Sequence, residues 1–298
     1  MKIQKRREIT TIATRHTLYS DPTQIVLHTI EAAEEKVHYS TRRRILLGIM
    51  AGLFIGCGAA ASTVAVHNVA TLGIAKVLGG IIFPVGLMMI LFVGGELFTG
   101  DCLMITAFLH KKIQFRQIIK VMLTIYVTNF IGAVGCAFLV FCSGQMNLSG
   151  GLLGAYTIHT AMSKVNLTFT SALASGILCN ILVCTAVLMC TAARDISGKV
   201  WGVFFPIFAF IVSGYEHCVA NMYFIPAALF AKTNPMFSEM AMSLYGYTPE
   251  DIASLNWGHF LHSMFPVTLG NMIGGMLVVG VIVYYTHHEH LLDAEQRH

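Results

Sequence analysis

Two ionisable side chains stand side by side in the apolar stretch 211–223, IVSGYEHCVANMY, where Glu216 precedes His217. A second acid interrupts another apolar stretch at GGELFTGD, residues 94–101, which holds Glu96, Thr99 and Asp101. A carboxylate at the centre of a membrane helix costs about 2.5–3.5 kcal/mol on the insertion scale, so each acid needs a partner. A helix break supplies one in its exposed backbone N–H groups, and Glu96 and Glu216 are expected to be structural in that way. His217 differs, because imidazole is tolerable uncharged in lipid and charges near neutral pH, so it can present a proton to a passing anion. Thr99 lies at the matching interruption, where it either bonds the ring and fixes its tautomer or caps the residues after it. Asn180 and Asn271, each inside an apolar run, either line a polar route or bond helix to helix. Hydrolysis fits poorly, since no H-E-x-x-H ligand spacing and no serine nucleophile with a matching base is visible.

These residues need a membrane scaffold. Of the 298 residues, 55% are hydrophobic and 11% charged, with mean hydropathy +0.69, against about 25% charged in soluble domains. Apolar runs and breaks predict six spans, near residues 45–66, 77–109, 115–141, 167–190, 200–230 and 260–285. The domain reading is an amino-terminal arm over 1–44, a six-span transport domain over 45–286 and a polar tail over 287–298. An amphipathic helix is one possibility for the arm over 22–39, with Ile25, Val26, Ile30 and Val37 inward; a solvated arm is the other. Basic residues crowd before Ile45, including Arg42, Arg43 and Arg44, and more follow spans two and four as Lys111, Lys112, Arg116, Lys120, Arg194 and Lys199. The opposite links hold only Lys76, Lys164 and Lys232. That asymmetry places both termini on the cytoplasmic side of the cell membrane. The eight cysteines form no C-x-x-C metal pattern and read as packing residues, and no cofactor or nucleic-acid partner is implied.

The two halves echo each other. Gly48-Ile49-Met50 in span one matches Gly176-Ile177-Leu178 in span four, and Asn129-Phe130-Ile131-Gly132-Ala133 in span three matches Asn271-Met272-Ile273-Gly274-Gly275 in span six. Between them, Gly94-Gly95-Glu96 matches Gly214-Tyr215-Glu216. Three spans per half make the expected fold an all-α membrane protein with an inverted 3+3, aquaporin-like repeat and interrupted second and fifth helices. Each break exposes backbone groups that cost several kcal/mol apiece in lipid, so both must face protein or water. The half-helix ends carry a partial positive charge and attract an anion or a polar molecule.

GGELFTG, SGYEHCVANMYFIP, LCNILVC and FPVTLGNMIGG, in that family-like spacing, resemble the formate/nitrite transporter family over residues 25–287. The resemblance implies a homopentamer with one pore per protomer. It makes His217 the central pore histidine, Thr99 its partner, Asn180 and Asn271 polar pore residues, and Lys164 the basic residue of the external vestibule. It assigns Phe83, Leu87 and Leu97 to one constriction and Phe210 with Val183 to the other. Asp101 departs from the family pattern, in which a neutral or basic residue follows Thr-x; it either alters anion preference or caps the half-helix.

The implied partners are the lipid bilayer, a small monovalent weak-acid anion (formate, nitrite, hydrosulfide, acetate or lactate) and a proton. Lys164 and the half-helix ends draw the anion inward, a proton from water or through His217 neutralises it, and the neutral acid crosses the apolar rings at a lower dehydration cost. The alternative is a neutral-solute channel of the aquaporin type. That class expects Asn-Pro-Ala at each half-helix, whereas Asn234-Pro235 lies in a loop.

Overall fold

The structure, a computed structural model, describes residues 19–295. The first 18 residues of the expected arm and the last three of the expected tail lie outside the described residues. Helix α1 (Pro22–His38) opens on a capping box between Asp21 and Gln24 and buries Val26, Ile30 and Ala33. Arg44, itself buried, donates to the carbonyls of Lys36, Val37 and Tyr39, so the first residues of α2 (Thr41–Val66) close the end of α1. Ser40 Oγ accepts from Arg43 N, which starts α2 ahead of the position that hydropathy predicts.

Six helical stretches among the described residues are long and apolar enough to cross a membrane. The first is α2. The second is α3 (Leu72–Ile82) running into α4 (Val85–Val93) around Pro84. The third, fourth and fifth are α6 (Phe115–Cys142), α8 (Phe169–Ala192) and α9 (Ile196–Ser213). The sixth joins α13 (Trp257–Met272), a π-helical segment (Ile273–Val281) and α14 (Ile282–Glu295). After the second span the chain breaks at 94–99 and resumes as a 3₁₀ turn (Gly100–Met104) and a short α5 (Ile105–Leu109). After the fifth it breaks at 214–217 and resumes as α10 (Cys218–Ala231). The links on the far side from α1 form α7 (Leu152–Val165), α11 (Pro235–Tyr245) and α12 (Pro249–Ser254).

Helix α2 packs along α6, and α8 along α13 and the π-helical segment after it. Both contacts use glycine at equivalent places. A Cβ at Gly132 would collide with the Ile49 carbonyl, and one at Gly274 with the Ile177 carbonyl. Backbones this close are the usual solution for membrane helices, where packing replaces the hydrophobic drive. Gly274→Ala should therefore destabilise the protein by about 1–3 kcal/mol through overpacking. Thermal unfolding in detergent checks this, and an unchanged midpoint would contradict the contact.

Candidate functional site

Both breaks open on a left-handed glycine, Gly94 at φ 105° and Gly214 at φ 71°, where a Cβ would be strained. Two residues later comes the glutamate, and two after that the chain turns helical or nearly so. One amide side chain fastens each break. Asn129 Nδ2 donates to the carbonyls of Gly48 (2.8 Å) and Glu96 (2.9 Å), while its Oδ1 accepts from Phe98 N (3.0 Å). Asn271 repeats the pattern with Gly176 (2.8 Å), Glu216 (3.0 Å) and Cys218 N (2.9 Å). Each amide thus satisfies three buried backbone groups that lipid would leave unpaired. Asn271 has both its amide hydrogens and its oxygen engaged in this way, bonding helix to helix. Sequence reasoning did not single out Asn129 as a functional residue, although the repeat aligned it with Asn271.

The two carboxylates are held by cations, not by backbone N–H groups as expected. Glu216 accepts from Lys164 Nζ at 3.0 Å on both oxygens and from Asn221 Nδ2 at 2.7 Å. Glu96 Oε2 lies 2.7 Å from Lys36 Nζ, which also donates to Asp101 Oδ1 at 2.7 Å. Asp101 makes no cap, and neither does Thr99 for the 3₁₀ turn that follows it. Burial disfavours the Lys36 charge, but the Asp101 and Glu96 carboxylates outweigh it and raise Lys36 above the ordinary lysine range. Neither Lys36 nor its partnership could be found by spacing, since α1 reaches the break only through the fold. Lys164 is likewise engaged rather than free, and its Nζ stands 5.1 Å from the Phe224 ring centroid. Lys76 is close by: its Nζ lies where a Cβ on Gly214 would touch it, within electrostatic reach of both Lys164 and Glu216.

The breaks meet at Thr99 and His217. The imidazole caps α10, with Nδ1 accepting from Ala220 N at 3.1 Å, and Nε2 lies 2.8 Å from Thr99 Oγ1. An Nδ1 that accepts a backbone hydrogen leaves the ring proton on Nε2, so the neutral ring donates to the Thr99 hydroxyl. Asn180 Nδ2 donates to the carbonyls of Thr99 (3.2 Å) and Asn271 (2.7 Å), and Cys184 Sγ bonds the Thr99 carbonyl at 3.4 Å. Asn180 therefore ties one break to the backbone of the residue whose side chain fastens the other. His217 and Thr99 are both buried, as are Phe83, Leu87, Leu97, Phe210 and Val183.

One expected grouping changes. The resemblance puts Phe83 and Phe210 at opposite constrictions, yet their rings meet edge to face with centroids 5.6 Å apart. The reason is the packing of α3 on α9, which brings the two rings together; Phe210 is also 5.9 Å from the His217 ring. Leu87 follows Phe83 by one helical turn. Leu97 lies two residues before Thr99, and Val183 precedes the cysteine that bonds the Thr99 carbonyl.

A family model described as formate/nitrite transporter matches residues 23–285. The chain is 33% identical over 273 residues to the formate channel FocA of Haemophilus influenzae, covering 88% of this chain and 95% of that one. It is 29% identical to a formate-nitrite transporter of Plasmodium falciparum over 90% of this chain and 85% of the relative. Among solved structures, a pentameric formate channel with formate bound aligns at a TM-score of 0.73 and 32% identity, covering 83% of this chain and 97% of that chain. An FNT family ion channel aligns at a TM-score of 0.76 with 23% identity, which speaks to the fold alone. With its six spans, its two fastened breaks and a family match over most of its length, the chain belongs to the formate/nitrite transporter family.

Proposed function

We propose that the chain assembles as a homopentamer in the cell membrane, both termini cytoplasmic, and that each protomer conducts small monovalent weak-acid anions with a proton. Formate is the first candidate, and nitrite, hydrosulfide, acetate and lactate share its chemistry. The observation that carries this reading is the 2.8 Å bond between Thr99 Oγ1 and His217 Nε2, where two membrane-buried breaks converge. The matched hydrogen bonds of Asn129 and Asn271 support an inverted relation of the two halves.

On this reading Phe83, Leu87, Leu97, Phe210 and Val183 form apolar narrowings that exclude hydrated ions. With His217 Nε2–H donating to its oxygen, the Thr99 hydroxyl can turn its own hydrogen to the passing solute. A second proton on the ring would have to displace the Ala220 N–H from Nδ1. The proton that neutralises the anion therefore comes from water at the mouth, and the histidine orients Thr99 and remains neutral. Two ammonium groups, Lys76 and Lys164, against one carboxylate, Glu216, leave the mouth away from α1 with a net positive charge that gathers anions.

Proteoliposomes test this. Formate flux should fall as external pH rises in the wild type, and His217→Asn should pass less formate at low pH. Formate flux indifferent to pH in both proteins would remove the proton from the mechanism. No formate flux at all, with rapid water or glycerol movement, would replace the reading by a neutral-solute channel.

A further inference from the structure

The two ends of the passage are not electrically alike. Beside Glu216 there are two lysines and one acid; beside Glu96 there are two acids, Glu96 and Asp101, and one lysine, Lys36. Asp101 is 1% exposed and Glu96 7%. Asp101 gives Oδ1 to Lys36, but its Oδ2 has no donor. Glu96 Oε2 is held by the charge of the same ammonium at 2.7 Å, and no other donor reaches it. Both carboxyl groups lie against the same ammonium, each 2.7 Å from Lys36 Nζ. Two buried carboxylates sharing one cation are unfavourable unless one of them carries a proton.

We propose that Glu96, Asp101 and Lys36 form a proton-binding site at the α1 mouth, in which one proton is shared between Asp101 Oδ2 and Glu96 Oε2. Taking up that proton from the adjoining solution changes the cluster from a net charge of −1 to 0. Lys36 also lines a cavity of about 160 Å³ with His28, Thr29, Gly100, Val187 and Thr191, so the change is felt where a solute enters or leaves beside Thr99. Other groups facing the pair are few. His28 on α1 shares the cavity with Lys36, and Tyr39, just after α1, lies within electrostatic reach of Glu96; Arg44 closes the end of that helix, and the thiols of Cys102 and Cys184 lie along the 3₁₀ turn. The packed segments Ile105–Leu109 and Ile273–Val281 contain no ionisable side chain. In α6, Arg116 and Lys120 line a separate cavity with Arg44. No cation besides Lys36 is therefore hydrogen-bonded to the pair among the described residues. The consequence for transport rests on the anion reading above: the α1 mouth admits an anion readily when the pair holds its proton and repels it otherwise.

Infrared difference spectra of the full-length protein in lipid, recorded between acidic and alkaline buffer with no transported anion present, read the site directly. The C=O stretch of a carboxylic acid should disappear on alkalinisation in the wild type and be missing from Asp101→Asn, whose amide supplies the absent donor to Glu96. Glu96→Gln should lose the same band, and serves if Asp101→Asn does not assemble. Formate flux from the α1 side should drop about tenfold more across the same titration in the wild type than in Asp101→Asn, the order expected for one unit charge at this range, since the variant keeps only the pH dependence of the anion's own protonation. A wild type with no titrating carboxyl band, or a folded Asp101→Asn with an unchanged spectrum, overturns the proton site. A protein that shows the Asp101-dependent band but carries no formate keeps the site and sinks the transport reading instead.

Discussion

Asn271→Leu is expected to prevent stable assembly, or to lower unfolding free energy by on the order of 5 kcal/mol. The substitution is nearly isosteric, so packing changes little. What it removes are the partners of the Gly176 and Glu216 carbonyls and of Cys218 N. Each buried group left unpaired costs about 1–3 kcal/mol. Asn129→Leu should cost a similar amount, because it strands the matching groups of Gly48, Glu96 and Phe98. Asn180→Leu should cost less, since only two carbonyls lose a donor. Pentamer yield and thermal unfolding in detergent are the measurements. If Asn271→Leu melted with the wild type, the amide would not be what holds the break.

Lys164→Ala should be comparably damaging for an electrostatic reason. It strands Glu216, whose side chain is 8% exposed, with Asn221 as its remaining donor. Removing one member of a buried ion pair costs about 3–5 kcal/mol, whereas replacing both members by neutral groups is often nearly neutral. The double variant Lys164→Met with Glu216→Gln should therefore recover most of the lost thermal stability. It should also recover anion uptake at low substrate concentration, which Lys164→Ala alone lowers, since Lys76 then leaves that mouth the same net charge of +1 as the wild-type trio. Full stability in Lys164→Ala alone would mean that the lysine spends its time on solutes and not on Glu216.

The breaks were legible in the sequence because glycine and a carboxylate inside an apolar run have no place in a continuous membrane helix. Their equivalence was legible too, since Gly48 with Gly176 and Asn129 with Asn271 recur around the two Gly-x-Glu segments. What satisfies each break was not. A local sequence states the cost of a buried carboxylate but not who compensates it. The answers, Lys36 for Glu96 and Lys164 for Glu216, come from helices 60 and 52 residues away. The amides were visible as buried polar residues, yet a lining residue and a fastening residue look alike until their carbonyl partners are known. Phe83 and Phe210 illustrate the same limit, as their meeting depends on how α3 lies on α9. The π-helical stretch Ile273–Val281 left no signal beyond its glycines, where Gly275 comes against Asn180 and Cys102.

Bare backbone at Gly132 and Gly274 also decides which parts can move. With nothing between Gly132 and Ile49, or between Gly274 and Ile177, a shift of one turn along either pair would drive a side chain into a carbonyl, so the close fit resists sliding. The unwound joints at 94–99 and 214–217, tied by side chains and not by a continuous helix, are where a passing molecule meets the least resistance.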